Sequence, residues 1–585
     1  MIVPMKKATI VVQLKDAESA VKKLRSLGVI HVEHIQEPKS KDISIIADSI
    51  SAIDEAINIL SMFLAKKECK PVNIKKHHDP RQLVKHITDS YKRLDQLQEY
   101  SAHLKNAIDQ YSGWGDFNPE QINFLAQNGI FVKLYQIPKN QIKNLPKNVL
   151  VKTISVFKGM VSVAIVSREK VDINFKEVIP PKMGIKDMHH KVAESMQIIK
   201  LIKEELTRHT CHIKFLLDAK ESLKKNQLFY ETVQGMGLRD NISYLTGYLP
   251  FDSVLALSSE AEKEKWGIVI NEPSSEDNIP TLIRNPKWIS IIKPVFKLLE
   301  IMPGYRELDI SPLFLIFLSL FFGMIIGDAG YGAVYFLLTF IIHMKFSRKS
   351  SDKKVFFLFY LFSGCAIFWG LLTGTVFGQE WFLKAGFKPF VPILNDTKFL
   401  QAFCFFLGAF HLTLAHVWCG LRKLPSLTAF ADAGWICVLW SAFFIAKTLI
   451  LSDPFPYFVK SLLIAGVSLV ILCTNPQKNI FKTIGEGLGA VALSIMNNFT
   501  DVVSYVRLFA VGLAGVAISD TVNSLAAGFG VGAASFFILF LGHTINIVLG
   551  PMSVLVHGIR LNVLEFSGHA SLSWSGIAYK PFKEE

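Results

Sequence analysis

Two arginines decide most of what this chain can fold into. Arg507 and Arg560 sit in segments that otherwise belong in lipid: between Ile495 and Val531 the only acidic groups are Asp501 and Asp520, and Gly532 to Ile559 holds only His543 and His557. A guanidinium at bilayer depth costs about 2.5 to 3.5 kcal/mol on insertion scales and cannot escape by losing its proton, so it needs a carboxylate or a wet cavity. The segments are also too long for an upright crossing. Residues 484 to 524 and 533 to 565 would form helices of roughly 60 and 50 Å against a hydrocarbon core of about 30 Å, so steep tilt is expected. Between them lies the uncharged, glycine-rich turn Leu525 to Gly532.

The rest of the 585 residues divides into two unlike parts. Up to about Leu308 the chain is rich in Lys, Glu, Asp and Gln, with no apolar run long enough to span a bilayer; beyond Ser311 it is a succession of apolar runs. The expected fold is α+β: a cytoplasmic domain over 1–310, with two small α/β lobes joined by an antiparallel coiled coil, followed by an all-α membrane domain over 311–585. The N-terminal Met-Ile-Val-Pro-Met-Lys-Lys lacks a signal peptide's apolar core and cleavage site, so the first domain is expected to stay cytoplasmic. The net charge of +14 invites a nucleic-acid reading, but much of the membrane half's basic excess lies in loops between spans, where topology explains it and no nucleic acid is needed. The cysteines show no metal spacing; Cys365, Cys404, Cys419, Cys437 and Cys473 read as small hydrophobes.

In the first half, Ala8 to Leu14 reads as a strand, Ala17 to Leu27 as an amphipathic helix stopped by Gly28, and Val29 to Ile35 as a second strand. This βαβ-like unit has no phosphate-binding glycine loop. Three heptad runs follow: Ile46 to Leu64, Leu83 to Tyr111 with Ser90 and Ser101 weakening the seam, and Val192, Met196, Ile199, Leu206, Ile213, Leu217. Strand patterns at 130–135, 149–154 and 160–166 separate the second run from the third, which predicts an arm leading out to one lobe and back to another at 242–249 and 266–270. Asn271 to Pro280 reads as a linker toward the membrane.

Candidate spans are 313–326, 329–344, 355–377, 399–421, 430–451, 458–473 and the two long helices. With the N-terminus inside, the inner loops hold Lys345, Arg348, Lys349, Lys353, Lys354, Arg422, Lys423, Lys478, Lys482, Lys580 and Lys583, and the outer ones only Lys384, Lys388, Lys398 and Lys460. That asymmetry fits eight spans with both ends cytoplasmic.

Three stretches carry a family resemblance: Phe322-Gly-Met-Ile-Ile-Gly-Asp-Ala-Gly-Tyr-Gly332, Ser504-Tyr-Val-Arg-Leu-Phe-Ala-Val-Gly-Leu-Ala514, and His557-Gly-Ile-Arg-Leu-Asn-Val-Leu-Glu-Phe566, with the Tyr579-Lys-Pro-Phe582 ending. In these the chain resembles the membrane stator subunit of rotary V-type and A-type ATPases, called subunit a or subunit I. The resemblance implies a non-catalytic, cofactor-free subunit, and short loops with no targeting segment point to a prokaryotic plasma membrane. Its partners would be a rotating proteolipid c/K ring, peripheral-stalk subunits E and G, central-stalk subunit d/C, membrane lipid and, indirectly, the catalytic A and B subunits. It also implies that Arg507 and Arg560 are the ion-translocation residues, Arg507 facing ring carboxylates that carry a proton or sodium ion between two half-channels.

Half-channel candidates are Asp328, His411, His416, Glu486, Asn497, Asp501, Asp520, His543, His557 and Glu565, with Asp432, Asn498 and Asn546 as further polar groups in apolar context. The chain departs from the eukaryotic pattern, where the resemblance would place acidic or histidine side chains at what are here Leu493, Gly515 and Gly550. Asn497, Asp501 or Glu486 are the candidate replacements on the cytoplasmic side, and His543 or Asp520 on the other. Helical phasing puts Thr500, Arg507, Ala514 and Ile518 near one line. Competing readings are a fixed pair of Arg507 with Asp501 or Asp520, snorkelling of Arg560 to the cytoplasmic interface, and, for the whole chain, an ion-coupled secondary transporter with a cytoplasmic regulatory domain. An ATPase acting alone would need a GxxxxGK[ST] loop, which the sequence lacks.

Overall fold

The computed structural model describes residues 1–64, 79–144, 149–157, 159–169, 173–346, 353–379, 391–474 and 494–584. The chain forms two units, one of Met1–Val11, Leu24–Glu33 and Thr246–Lys583, the other of Val12–Lys23, His34–Leu245 and Glu584–Glu585.

The second unit contains the helices expected from the heptad runs, Lys41–Met62, Pro80–Tyr111, Ile185–His209 and Ile213–Gln234. Ser40 caps the first by accepting from the Ile43 N–H, and Asp79 caps the second by accepting from Arg81, with Pro80 in the first turn, where its missing N–H costs nothing. Their apolar faces meet in a core of Ile53, Ile59, Leu60, Leu83, Ile87, Leu94, Ile202, Leu206 and Leu216. The third heptad run does not continue as read. Met196 and Leu217 are exposed, while Ser195, Ile202 and Leu216 are buried. A 3-10 turn at Thr210–His212 separates the two helices; it advances about 120° per residue instead of about 100°, so one heptad phase cannot run through it. The strands Leu150–Phe157, Met160–Ser167, Phe131–Pro138 and Glu177–Val178 pair in that spatial order, all antiparallel, around Tyr135, Ile137, Val161, Val163 and Ile165.

In the first unit, strand Ile242–Pro250 lies between strands His31–Glu33 and Met5–Gln13, with Gly267–Asn271 antiparallel on the far side of Met5–Gln13. The βαβ read from the N-terminus is therefore split by a strand more than two hundred residues away. Lys7 holds the linker, bonding Asp277 at 2.8 Å and pairing with Glu33 at 3.4 Å. The hydrogen bond to Asp277 raises the lysine's pKa and lowers the aspartate's. The chain's end joins the same region: Ile577–Ala578 pairs parallel with Pro280–Thr281, and the Tyr579 hydroxyl donates to the Val29 carbonyl at 2.6 Å. Burial pushes that phenol up to about 12.

The C-terminal part is helical. Among the described residues, six helices are long and apolar enough to cross a membrane: Ala329–Phe346, Lys354–Thr373, Thr397–Lys423, Ala429–Leu451, Ser494–Gly528 and Ala533–His569; Ser311–Ile326 and Phe458–Cys473 are apolar but shorter. Ser311–Ile326 is nevertheless the hub, with Phe314, Leu315, Phe317, Leu318, Phe321, Phe322 and Met324 to Ile326 buried and Ile316 left exposed. The long helix Ser494–Gly528, here the arginine helix, crosses it closely at Gly512, where a Cβ would lie 2.6 Å from the Met324 carbonyl oxygen. Any side chain there would push the helices apart.

Candidate functional site

The arginine helix changes pitch just before Arg507. The Tyr505 N–H reaches the Val502 carbonyl and the Leu508 N–H reaches that of Tyr505, both three residues back, which is 3-10 bonding inside an α-helix. The last helix, Ala533–His569, carries Pro551 in its interior and then two π-helical turns, Val554–Gly558 and Leu561–Phe566. Proline removes a backbone donor and crowds the preceding turn, and π turns accommodate such widening.

Those distortions fix the charge geometry. Arg560 and Glu565 are five residues apart, about 140° around a regular α-helix, but nearly stacked where bonds run i to i+5. As a result Arg560 Nε lies 3.6 Å from Glu565 Oε1, and Arg507 Nη1 donates to the same oxygen at 3.2 Å. Arg507 Nη2 also donates to Ser504 Oγ at 3.2 Å. Two cations thus share one carboxylate, leaving a surplus positive charge. Glu565 is 5% exposed, Arg507 27% and Arg560 52%, so the anion is sunk in the protein and both cations reach outward. Along the line predicted for Arg507, Thr500, Ala514 and Ile518 are all exposed.

Two separate polar clusters flank the arginines. Six residues before Arg507, about 9 Å along the helix, Asp501 Oδ2 meets His569 Nε2 at 3.1 Å. His569 Nδ1 meets His416 Nε2 at 2.9 Å, His416 Nδ1 meets Asp432 Oδ1 at 3.3 Å, and Lys423 donates to Asp432 Oδ2 at 2.7 Å. Twelve residues after Arg507, about 18 Å along the helix, Ser519 begins a neutral cluster. The Tyr331 hydroxyl lies 2.7 Å from both Ser519 Oγ and His543 Nδ1. His543 Nε2 lies 3.1 Å from Asn523 Oδ1, and Asn546 donates to Ser519 Oγ and the Gly515 carbonyl. A cavity of about 130 Å³ reaches from this cluster toward the arginines, lined by Tyr331, Tyr335, Gly515, Asn546, Gly550 and Ser553 among others. It is roomy and polar enough for water.

The sequence of the V-type ATP synthase subunit I of Borreliella burgdorferi (strain ATCC 35210 / DSM 4680 / CIP 102532 / B31) is 30% identical to this chain over 632 residues, covering 100% of both. This chain belongs to the V-type ATP synthase subunit I family. The subunit I 1 of Treponema pallidum (strain Nichols) is 29% identical over 626 residues with the same full coverage, and the A-type ATP synthase subunit I of Methanocaldococcus jannaschii is 24% identical over 417 residues, 63% of this chain and 59% of that protein. No protein-family model matches the chain. A crystal structure of the cytoplasmic N-terminal domain of subunit I, homolog of subunit a, of V-ATPase aligns with 46% of this chain and 100% of its own at 12% identity and a TM-score of 0.24. As a subunit I, the chain is an ion-transport component of the ATP synthase membrane sector.

The remaining candidates in this subunit I fall in three places. Asp328 is a turn-holder: it accepts the N–H groups of Tyr331, Phe377 and Gly378 at 3.0, 2.9 and 2.8 Å, ties that fix the turn beneath the neutral cluster. His411 is stacked between Phe317 and Phe566, ring centres 3.7 and 4.2 Å away, and its Nδ1 lies 2.8 Å from the Tyr505 hydroxyl. His557 is half-buried within electrostatic reach of both arginines. Asn497 and Asp520 are exposed, Asn498 is buried, and Glu486 lies outside the described residues. The partner of Arg507 is Glu565, neither Asp501 nor Asp520. Sequence reading missed His569, Tyr505, Tyr331, Ser519 and Asn523 as members of these networks. For His569 a signal existed, a histidine one turn past Glu565 on the same helix; Tyr331, nearly two hundred residues before Ser519, offered none.

Proposed function

We propose that this chain is the stator that lines both ion half-channels of a rotary V/A-type ATPase, with Arg507 as the charge that separates them. The observation that carries the reading is the shared carboxylate: one glutamate between two arginines keeps the guanidiniums in place at bilayer depth while leaving a net positive charge on an accessible face. The last helix supports it, since Phe536, Phe537, Phe540, Leu541, Val548 and Met552 on the same chain segment are exposed and apolar, the character required of a surface that meets either lipid or a ring of apolar helices.

A ring carboxylate arriving beside Arg507 is favoured in its charged form, because an adjacent cation lowers a carboxylate's pKa by roughly one to three, and its ion is released. Past the arginine it reloads from the other side and returns through lipid neutral, since a bare carboxylate facing lipid is too costly. The charged cluster at Asp501, His569, His416 and Asp432 is assigned to the cytoplasmic half-channel, and the neutral cluster with its cavity to the opposite one. Gly515 and Gly550, where the eukaryotic pattern implies larger polar side chains, both line that cavity, so water would carry the ion path that side chains carry elsewhere.

The wider reading follows from the same assignment. Residues 311–585 form the ion-translocating domain with eight spans, the two shorter apolar helices included and the two long ones strongly tilted, both chain ends being cytoplasmic. Residues 1–310 form the arm, an antiparallel coiled coil between α/β lobes, that meets the peripheral-stalk subunits E and G and the central-stalk subunit d/C. The ring is the c/K proteolipid and the membrane the prokaryotic plasma membrane.

The test is reconstitution of the complex into vesicles with Arg507→Gln, reading ATP-driven acidification or sodium uptake separately from hydrolysis. At least a hundredfold loss of uptake with hydrolysis retained is expected. Uptake at the wild-type rate would end the proposal.

A further inference from the structure

Outside the membrane part, one group of side chains has the composition of a metal site. His86 on helix Pro80–Tyr111 and Glu205 and His209 on helix Ile185–His209 bring their ligand atoms within 4.8 Å of one another. Glu205 and His209 are four residues apart, one turn of the same helical face, so their convergence is built into the sequence spacing. His86 comes from the partner helix, its Nε2 2.8 Å from Glu205 Oε1. The two imidazole rings stand edge to face with centroids 5.4 Å apart. Two imidazoles on one tetrahedral ion at about 2.0 to 2.1 Å would hold their ring centres about 5 Å apart, so little more than a rotamer adjustment separates this arrangement from ligation.

We propose that His86, Glu205 and His209 bind one divalent transition-metal ion of the zinc class, with water at the fourth position. Two imidazoles and one carboxylate form a borderline donor set that suits zinc and its neighbours and disfavours magnesium and calcium, which take all-oxygen shells. The ion clamps the two helices immediately before the 3-10 turn Thr210–His212 that interrupts the helical run. The bland alternative is a surface His–Glu ion pair, since His86 and Glu205 are 50% and 44% exposed.

The experiment uses the full-length protein in detergent, stripped with chelator and titrated with Zn²⁺ against a chromophoric competitor. His86→Ala, at an exposed position and so least exposed to misfolding, and His209→Ala should each weaken one zinc equivalent at least tenfold, and Glu205→Gln should weaken it while keeping the side chain's shape. The double variant His189→Ala/His190→Ala, exposed on the same helix, should bind as wild type does. Zn²⁺, and not Mg²⁺, should raise the melting temperature of the wild type and leave that of His86→Ala unchanged. Zinc affinity equal in wild type and His86→Ala, or no zinc bound by the wild type, overturns the proposal and leaves only the ion pair.

Discussion

The charged and neutral clusters both draw on the arginine helix and the last helix, yet they are chemically opposite. Near Asp501 the network joins two carboxylates, two imidazoles and a lysine; near Ser519 it joins a phenol, a hydroxyl, two amides and one imidazole, with Asp328 spent on three backbone donors. The first is built entirely of ionisable side chains. The second, whose one ionisable imidazole has only neutral partners, hands hydrogen bonds along, and beside it lies a cavity. Two access routes need not share a mechanism: a path may be lined by ionisable side chains at one depth and by water at another. Between them the Arg507–Glu565–Arg560 group keeps one surplus positive charge, which in the proposed reading would repel a cation taking a direct route.

The comparison breaks most severely at Glu565. Glu565→Gln leaves two partly exposed arginines facing each other across a neutral amide, with nothing to offset their repulsion. The variant should melt well below the wild type in a thermal scan of the purified protein, and an unchanged melting temperature would show that the carboxylate does not hold the pair. Next comes the cavity. Gly550→Leu places a side chain where a Cβ already meets Ile326 at 2.6 Å, so it should cut coupled ion uptake at least tenfold while a charged-cluster variant leaves the cavity open. Asp501→Asn tests the other side: it keeps the hydrogen bond to His569 but removes the charge, and coupled uptake should fall severalfold. If Asp501→Asn takes up ions at the wild-type rate, the contrast between the clusters has no functional meaning.

The smallest effect concerns the chain's end, outside the spans. Burial alone would raise the Glu307 carboxyl, but hydrogen bonds from the Ser573 hydroxyl and backbone and from the Gly304 N–H outweigh it and lower the pKa. A carboxylate depressed in the folded state contributes stability fully above its unfolded value of about 4.3 and loses it as pH falls through the lower folded value. The segment around Ser573 should therefore stay protected from amide exchange at neutral pH and loosen only below about pH 4. In Glu307→Gln that acid transition should disappear.

Much of the architecture was legible from local pattern. Helix Ala17–Leu27 with its Gly28 stop, the strands of the small sheet, and most span boundaries follow from periodicity and breakers, which act over a few residues. The heptad reading failed at Leu217 because a single 3-10 turn resets phase without any strong breaker in the sequence, and at Met196, before that turn, because the buried stripe of its helix runs through Val192, Ser195, Ile202 and Leu206 instead. The split sheet was invisible because strand Ile242–Pro250 inserts from a great distance along the chain.

The same division runs through the site. Composition alone required that Arg507 and Arg560 be compensated, since a guanidinium keeps its charge wherever the chain puts it. It also limited the possible compensators to a few acidic residues. Which one served depended on the fold: Glu565 reaches both arginines because π turns bring a residue five places along the helix onto the same face, while Asp501 turns to His569. A charge is a property of a residue, but its partner is a property of distance, and distance is set by how helices are wound and packed.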